Sequence, residues 1–171
     1  MLPEATTRAT SSLSLADYTR PALIVPQLRK CETVGVIREL SELLHQEDYV
    51  PKVQPFFDAV LNRESLVNTA VEMGLAFPHG RLNGLSRLGF ALGRSQKPLA
   101  WGSRGAEPVR LVFLMVVPAT DAANYILLLS SLARLGRDAA LFEGLLTRES
   151  PKEIYDLLRT VRVQPARSPR V

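Results

Sequence analysis

Arg110-Leu111-Val112-Phe113-Leu114-Met115-Val116-Val117-Pro118 decides the fold of this chain. Seven consecutive apolar residues closed by a proline have the length of a buried strand and fall far short of a membrane span. Helices are expected on both sides of it along the chain. Downstream, Asp121 opens a helix carrying Ile126, Leu127, Leu129, Leu132 and Leu135, apolar on more than one side and so expected to lie deep, with Gly136 as its stop. A short helix over Ala139 to Leu146 follows. Ser150-Pro151-Lys152-Glu153 then sets Ser at the N-cap, Pro at N1 and Glu at N3, a capping box, before Ile154, Leu157, Leu158 and Val161. Upstream, Lys97 to Glu107 reads as turn-rich, Arg87 to Leu92 as a strand and Leu75 to Phe77 as a short strand. Val53, Phe56, Phe57, Val60 and Leu61 make a helical stripe with Pro55 in its first turn, and Val36, Ile37, Leu40, Leu43 and Leu44 make another over Thr33 to His45. The alternation predicts α/β, a mixed β-sheet flanked by helices in a single domain.

A chain of 171 residues suits one such domain with extensions. Residues 1–19 and 163–171 are expected to be disordered, leaving 20–162 as the domain. The chain is basic, with a pI near 9.6, but the charge is not in its body. Residues 1–30 carry a net +2 and those from Arg159 onward a net +4, while 31–158 carry a net −2. Nucleic-acid binding would therefore have to run through the ends and is not expected. The single cysteine, Cys31, excludes an intrachain disulfide and fits a reducing cytoplasm. The first 20 residues lack the apolar core of a secretion signal. There is no metal-ligand spacing, phosphate-cradling glycine loop or catalytic serine motif, so neither metal nor cofactor is expected.

The chemistry points to a histidine. In Phe77-Pro78-His79-Gly80-Arg81 the imidazole stands between a proline and a glycine at the end of a short apolar run. That placement suits the mouth of a strand, and the guanidinium two residues on suits an anion. Phosphoryl transfer to a ring nitrogen needs a neutral imidazole, a fixed tautomer and donors around the arriving oxygens. His79 supplies the first, since an ordinary imidazole pKa near 6.5 leaves it mostly neutral. Gly80 admits close backbone approach, and Arg63 and Arg81 offer donor forks matched to phosphate. Residues alone leave open that Pro-His-Gly is a structural turn. His45, among Gln46, Glu47 and Asp48, reads as a solvated helix-end histidine, and Trp101 as a residue that fills space.

Arg63-Glu64-Ser65, Asn68-Thr69 and Gly74-Leu75-Ala76-Phe77-Pro78-His79-Gly80-Arg81 together resemble the signature of enzyme IIA domains of the fructose/mannitol class. These belong to the bacterial phosphoenolpyruvate:sugar phosphotransferase system, and the likeness is greatest to its stand-alone nitrogen-regulatory branch. The resemblance continues through Glu107 to Leu114 with Val117-Pro118, through Leu128 to Leu135, and through Ser150 to Leu158, covering roughly residues 20–160. It implies that His79 is phosphorylated through Nε2 by the phosphocarrier HPr or its nitrogen-branch counterpart. It also implies that Arg63 lies near the phosphate, that Thr69 hydrogen-bonds within the loop, and that Glu64 buttresses Arg63. A downstream enzyme IIB or a regulatory target would receive the phosphate or read it.

Two departures from the family pattern bear on transfer. Tyr125 stands where many members carry a second histidine, and a phenol donates one hydrogen bond but brings no positive charge at neutral pH. Ala70 and Glu72 replace loop glycines, and Glu72 adds a negative charge near the expected docking site. The reading is a phosphohistidine transfer protein in a regulatory role, with no permease domain fused to it. The alternative is a transfer-impaired module that binds a partner.

Overall fold

The apolar run is the inner part of a strand, Glu107–Pro118, in which Leu111 to Val117 are fully buried. Leu111, Phe113, Met115 and Val117 join one apolar cluster, whereas Val112, Leu114 and Val116 join another on the opposite face. Strand side chains alternate between faces, so a strand covered on both sides reads as an unbroken apolar run. Burying each such side chain contributes roughly 1.5–3 kcal/mol, which offsets the roughly 1–2 kcal/mol lost in ordering each residue's backbone.

The computed structural model describes residues 12–102 and 107–165. In chain order these form β1 (Ile24–Val25), α1 (Thr33–Gln46), α2 (Val53–Leu66), β2 (Ala70–Val71), β3 (Leu75–Ala76), β4 (His79–Leu82), β5 (Gly89–Trp101), β6 (Glu107–Pro118), α3 (Ala122–Ala133), α4 (Ala139–Thr147) and α5 (Pro151–Leu158). The sheet order is β1-β5-β6-β3-β2, with β4 also on β6. β5 runs antiparallel to β6, while β3 and β4 run parallel to it, so the sheet is mixed. Helices α1 and α2 cover one face and α3 to α5 the other. This is the single-domain α/β architecture expected from the alternation.

β3 and β4 lie end to end along one edge of β6. Leu75 pairs with Leu111 and His79 with Met115. Between them Pro78 cannot donate, yet its carbonyl accepts the Met115 N–H at 2.9 Å, so the edge continues across the gap. The consequence is that His79 begins a strand whose register is set by the most buried strand of the protein.

Four expectations need correction. First, residues 12–19, expected to be disordered, are held in the fold. Leu15 is fully buried and its N–H bonds the Val161 carbonyl, while Ser14 and Asp17 form a capping box for a short 3-10 turn. Second, at the other end, residues 163–165 are held: the Val163 N–H bonds Leu13, and the Gln164 carbonyl accepts from Arg134. Residues 1–11 and 166–171, also expected to be disordered, lie outside the described residues. Third, the turn-rich segment is mostly strand: β5 runs on through Pro98 to Trp101, the proline accommodated by a register shift between Arg94 and Leu99. Fourth, α3 lies less deep than its composition implies, since Ile126 is 60% exposed, and the α-helix ends at Ala133, before a 3-10 turn over Arg134–Arg137 that contains Gly136.

Candidate active site

Three elements bring the side chains together. α2 supplies Ala59 and Arg63, one helical turn apart; β4 supplies His79 and Arg81, on the same side of a strand; α3 supplies Tyr125. With Val117 at the end of β6 they line a cleft of about 320 Å³. α2 can sit this close to β4 because residue 80 is glycine: a Cβ there would lie 2.6 Å from Phe56 Cε2. Gly80 is therefore buried beneath the helix, where its missing Cβ admits α2.

The imidazole is held at one nitrogen. His79 Nδ1 lies 3.1 Å from the Phe77 carbonyl oxygen. A carbonyl can only accept, so Nδ1 carries the proton and Nε2 keeps its lone pair. Nε2 faces the Tyr125 hydroxyl at 3.4 Å. Burial holds the His79 pKa below its ordinary 6.5, against the Phe77 bond, which favours the charged ring; Arg63 adds to the lowering and Glu64 opposes it. The ring is neutral at neutral pH. Burial pushes the Tyr125 phenol above its ordinary 10, so it stays protonated and is a donor.

The cations are free to serve an anion. Arg63 spends one donor on the Val67 carbonyl at 3.0 Å, and Arg81 one on the Ala119 carbonyl at 2.8 Å. Among the described residues neither pairs with a carboxylate. Two guanidinium groups beside a neutral imidazole with one bare nitrogen can receive a tetrahedral dianion and a new N–P bond.

Glu64 and Thr69 lie behind the cleft, and Glu64 does not buttress Arg63. Its carboxylate accepts from the Thr69 N–H at 2.9 Å, the Thr69 hydroxyl at 2.6 Å and the Trp101 indole N–H at 2.8 Å. Thr69 is thus tied to the end of α2, and Trp101, read as a space filler, also anchors a carboxylate. The signal for the latter was general: a buried indole N–H wants an acceptor, but nothing in the sequence singles out Glu64. Ala59 and Val117 were also missed, although Ala59 falls four residues before Arg63 on the same helical face. Glu72 is exposed and is not among the cleft residues; the charges acting on His79 are Arg63 and Glu64. His45 holds the Val50 carbonyl at 2.8 Å through Nδ1, a structural helix-end contact. A larger groove of about 740 Å³ on the far side of Glu64, lined by Val34, Leu61 and Leu66 among others, contains no histidine.

Residues 20–161 match the family model described as phosphoenolpyruvate-dependent sugar phosphotransferase system, EIIA 2. The chain belongs to that family. As an enzyme IIA type-2 domain it is 31% identical over 150 residues to a nitrogen regulatory protein of Bradyrhizobium diazoefficiens, covering 85% of this chain and 95% of that one. It is 29% identical over 127 residues to the fructose-specific EIIA component of a phosphotransferase system in Haloferax volcanii, covering 74% and 82%. The fold superposes on the nitrogen regulatory protein IIA-Ntr of Neisseria meningitidis with a TM-score of 0.72, at 24% identity over 84% of this chain and 98% of that one. It also matches the mannitol enzyme IIA of Escherichia coli, solved in complex with phosphorylated enzyme IIB, with a TM-score of 0.70 at 22% identity over 82% and 96%. Family membership places this enzyme IIA domain in phosphotransferase-system phosphotransfer or its regulation. Among its described residues no helix is long and apolar enough to cross a membrane, and no group of His, Cys, Asp and Glu is placed to hold a metal.

Proposed function

We propose that His79 accepts a phosphoryl group on Nε2 from an HPr-like phosphohistidine carrier. The phosphate then serves a nitrogen-type regulatory role, either passed to an enzyme IIB or read by a target protein. The observation that carries this is the Nδ1 bond to the Phe77 carbonyl, which leaves Nε2 bare towards a cleft lined by Arg63 and Arg81. In the transfer the P–N bond of the carrier breaks as the P–Nε2 bond forms, and the electron pair of the broken bond stays on the carrier's imidazole. His79 acquires positive charge while Nδ1 keeps its proton, and the Phe77 carbonyl stabilises that charge. Arg63 and Arg81 face the phosphoryl oxygens, and Tyr125 donates one hydrogen bond to them. With one P–N bond exchanged for another, the protein's share of catalysis is positioning and electrostatics. The regulatory direction draws on the likeness to the Bradyrhizobium nitrogen regulatory protein, of which 95% is covered.

A second reading has its own support. Tyr125 sits at the bare nitrogen and stays neutral, so the phosphorylated state lacks the charge a histidine would bring there. On that reading the domain accepts phosphate slowly or not at all and works by binding a partner. Incubation of the full chain with phosphoenolpyruvate, enzyme I and the carrier separates the two. Acid-labile phosphate on the wild type that is absent from His79→Ala supports transfer; no label, or label retained on His79→Ala, overturns it.

A further inference from the structure

The loop between α2 and β3 has little apolar burial to hold it. Val67 is 65% exposed, Val71 40% and Met73 59%, and Met73 takes a left-handed φ of 72° that only local constraint sustains. Yet this loop is bonded to the residue that holds His79. The Thr69 carbonyl accepts the Phe77 N–H at 3.2 Å, and the Phe77 carbonyl accepts from His79 Nδ1 at 3.1 Å. Thr69 is itself fixed twice by one carboxylate, through its N–H and its hydroxyl, and that carboxylate is fixed from the core by Trp101. Trp101 is fully buried at the end of β5, and its carbonyl also accepts from Asn68 Nδ2 at 3.3 Å.

We propose that Trp101 and Glu64 are positioning residues for the phosphoacceptor: the chain Trp101–Glu64–Thr69–Phe77–His79 ties the histidine's tautomer to the buried end of β5. Neither residue touches the arriving phosphate. Their action is to keep the Phe77 carbonyl aimed at Nδ1, so that the proton stays there and the lone pair stays on Nε2. If the loop slackens, the Phe77 carbonyl turns away and the ring partitions into the tautomer protonated on Nε2, which cannot attack phosphorus. A residue that merely fills space would leave that partition untouched. The kinetic half of this inference rests on His79 being the phosphoacceptor; the tautomer half does not.

The experiment uses the full chain labelled with 15N, and reads the two imidazoles by long-range 1H–15N correlation at pH 8. Phosphorylation is followed with phosphoramidate, a small donor that releases ammonia as its P–N bond breaks and so needs no partner protein. Trp101→Phe keeps an aromatic ring in the core but removes the indole donor. It is expected to raise the Nε2-protonated fraction of His79 at least about twofold and to slow phosphorylation in proportion to the Nδ1-protonated fraction lost, reaching about tenfold where that fraction falls to about a tenth. His45, whose Nδ1 bonds the Val50 carbonyl, serves as the internal control and should keep its tautomer. If Trp101→Phe does not fold, Thr69→Val removes the hydroxyl donor from the half-buried side of the same carboxylate and should move His79 in the same direction. Folded variants with an unchanged His79 tautomer overturn the proposal, as does a shift of His45 equal to that of His79, which would signal general loosening. A wild type that takes no phosphate defeats the acceptor reading while the tautomer measurement still decides this one.

Discussion

The Tyr125 hydroxyl lies 3.4 Å from Nε2 of His79, with the two rings 5.3 Å apart between centroids and inclined at 44°. That is a long contact for a hydrogen bond, and shortening it onto a phosphoryl oxygen would make it a useful one. A phenol held neutral by burial contributes a donor and no charge. Removing it with Tyr125→Phe should slow phosphorylation of His79 roughly three- to tenfold, the equivalent of one hydrogen bond of about 0.5–1.5 kcal/mol. Tyr125→His should instead speed transfer by at least as much, because a second imidazole can become cationic beside the phosphate. Rapid-quench rates with the purified carrier check both; equal rates for all three proteins would remove Tyr125 from the account.

Arg63 offers a sharper test of charge against geometry. Arg63→Lys keeps the charge and loses the fork, along with the bond to the Val67 carbonyl. A rate loss of about tenfold or more for Arg63→Lys, and of about a hundredfold or more for Arg63→Ala, is expected if the guanidinium steadies the transferring phosphoryl group. Because Arg63 helps lower the His79 pKa, Arg63→Ala should also raise that pKa in an NMR titration. A pKa that stays put or falls would mean the two side chains are not electrostatically coupled.

His79 also gives the pH dependence a definite sign. Its folded pKa lies below the ordinary 6.5, chiefly through burial, so on acidification the unfolded chain takes up the proton first. This histidine's contribution to stability is complete above about pH 6.5 and falls as the pH drops from there through the folded value. Chemical denaturation at stepped pH should show that loss in the wild type and a smaller one in His79→Gln. The phosphorylation rate should be flat through neutral pH and decline only below the lowered pKa, where the nucleophile is protonated. A decline beginning above pH 6.5 would contradict a depressed value.

Gly80 tests how α2 is seated. With a Cβ at 2.6 Å from one Phe56 ring carbon and 2.8 Å from another, Gly80→Ala must push the helix off the strand. A loss of about 1–3 kcal/mol in stability is expected, as for other overfilled cores. Because the same helix carries Arg63, phosphorylation should fall more than stability alone explains. Calorimetry and the phosphotransfer assay on the same preparation make the comparison.

The parts of the fold visible in the sequence were those with local periodicity. The run Leu111–Val117, the stripe from Val53 to Leu61 and the Ser150 capping box each name their own element, because strand and helix geometry act over a few residues. The far half of β5 was hidden, since Gln96, Lys97 and Pro98 are exposed and look like a turn, and only the pairing of Leu99 to Trp101 with β6 beyond them carries the strand on. The first ordered turn was legible in principle, as Ser14 and Asp17 have the spacing of a capping box, but the surrounding Ser and Thr obscured it. At the site, His79, Arg63, Arg81 and Tyr125 are legible from the sequence as candidates, and they line one cleft. The partner of Glu64 was not legible, because Trp101 is 37 residues away and reaches it only once the ends of β5 and α2 meet in the fold. Local spacing identifies the groups that do chemistry; the bonds that aim them are tertiary.

The central claim is that Nε2 of His79 is the atom that takes the phosphate. NMR of the phosphorylated, 15N-labelled chain locates the phosphorus directly, through the coupling between 31P and the ring nitrogen that bears it. The expected result is a single phosphohistidine at residue 79, coupled through Nε2, with Nδ1 still protonated towards the Phe77 carbonyl. Phosphorus on Nδ1, on another residue, or on none after full exposure to a charged carrier would contradict the account.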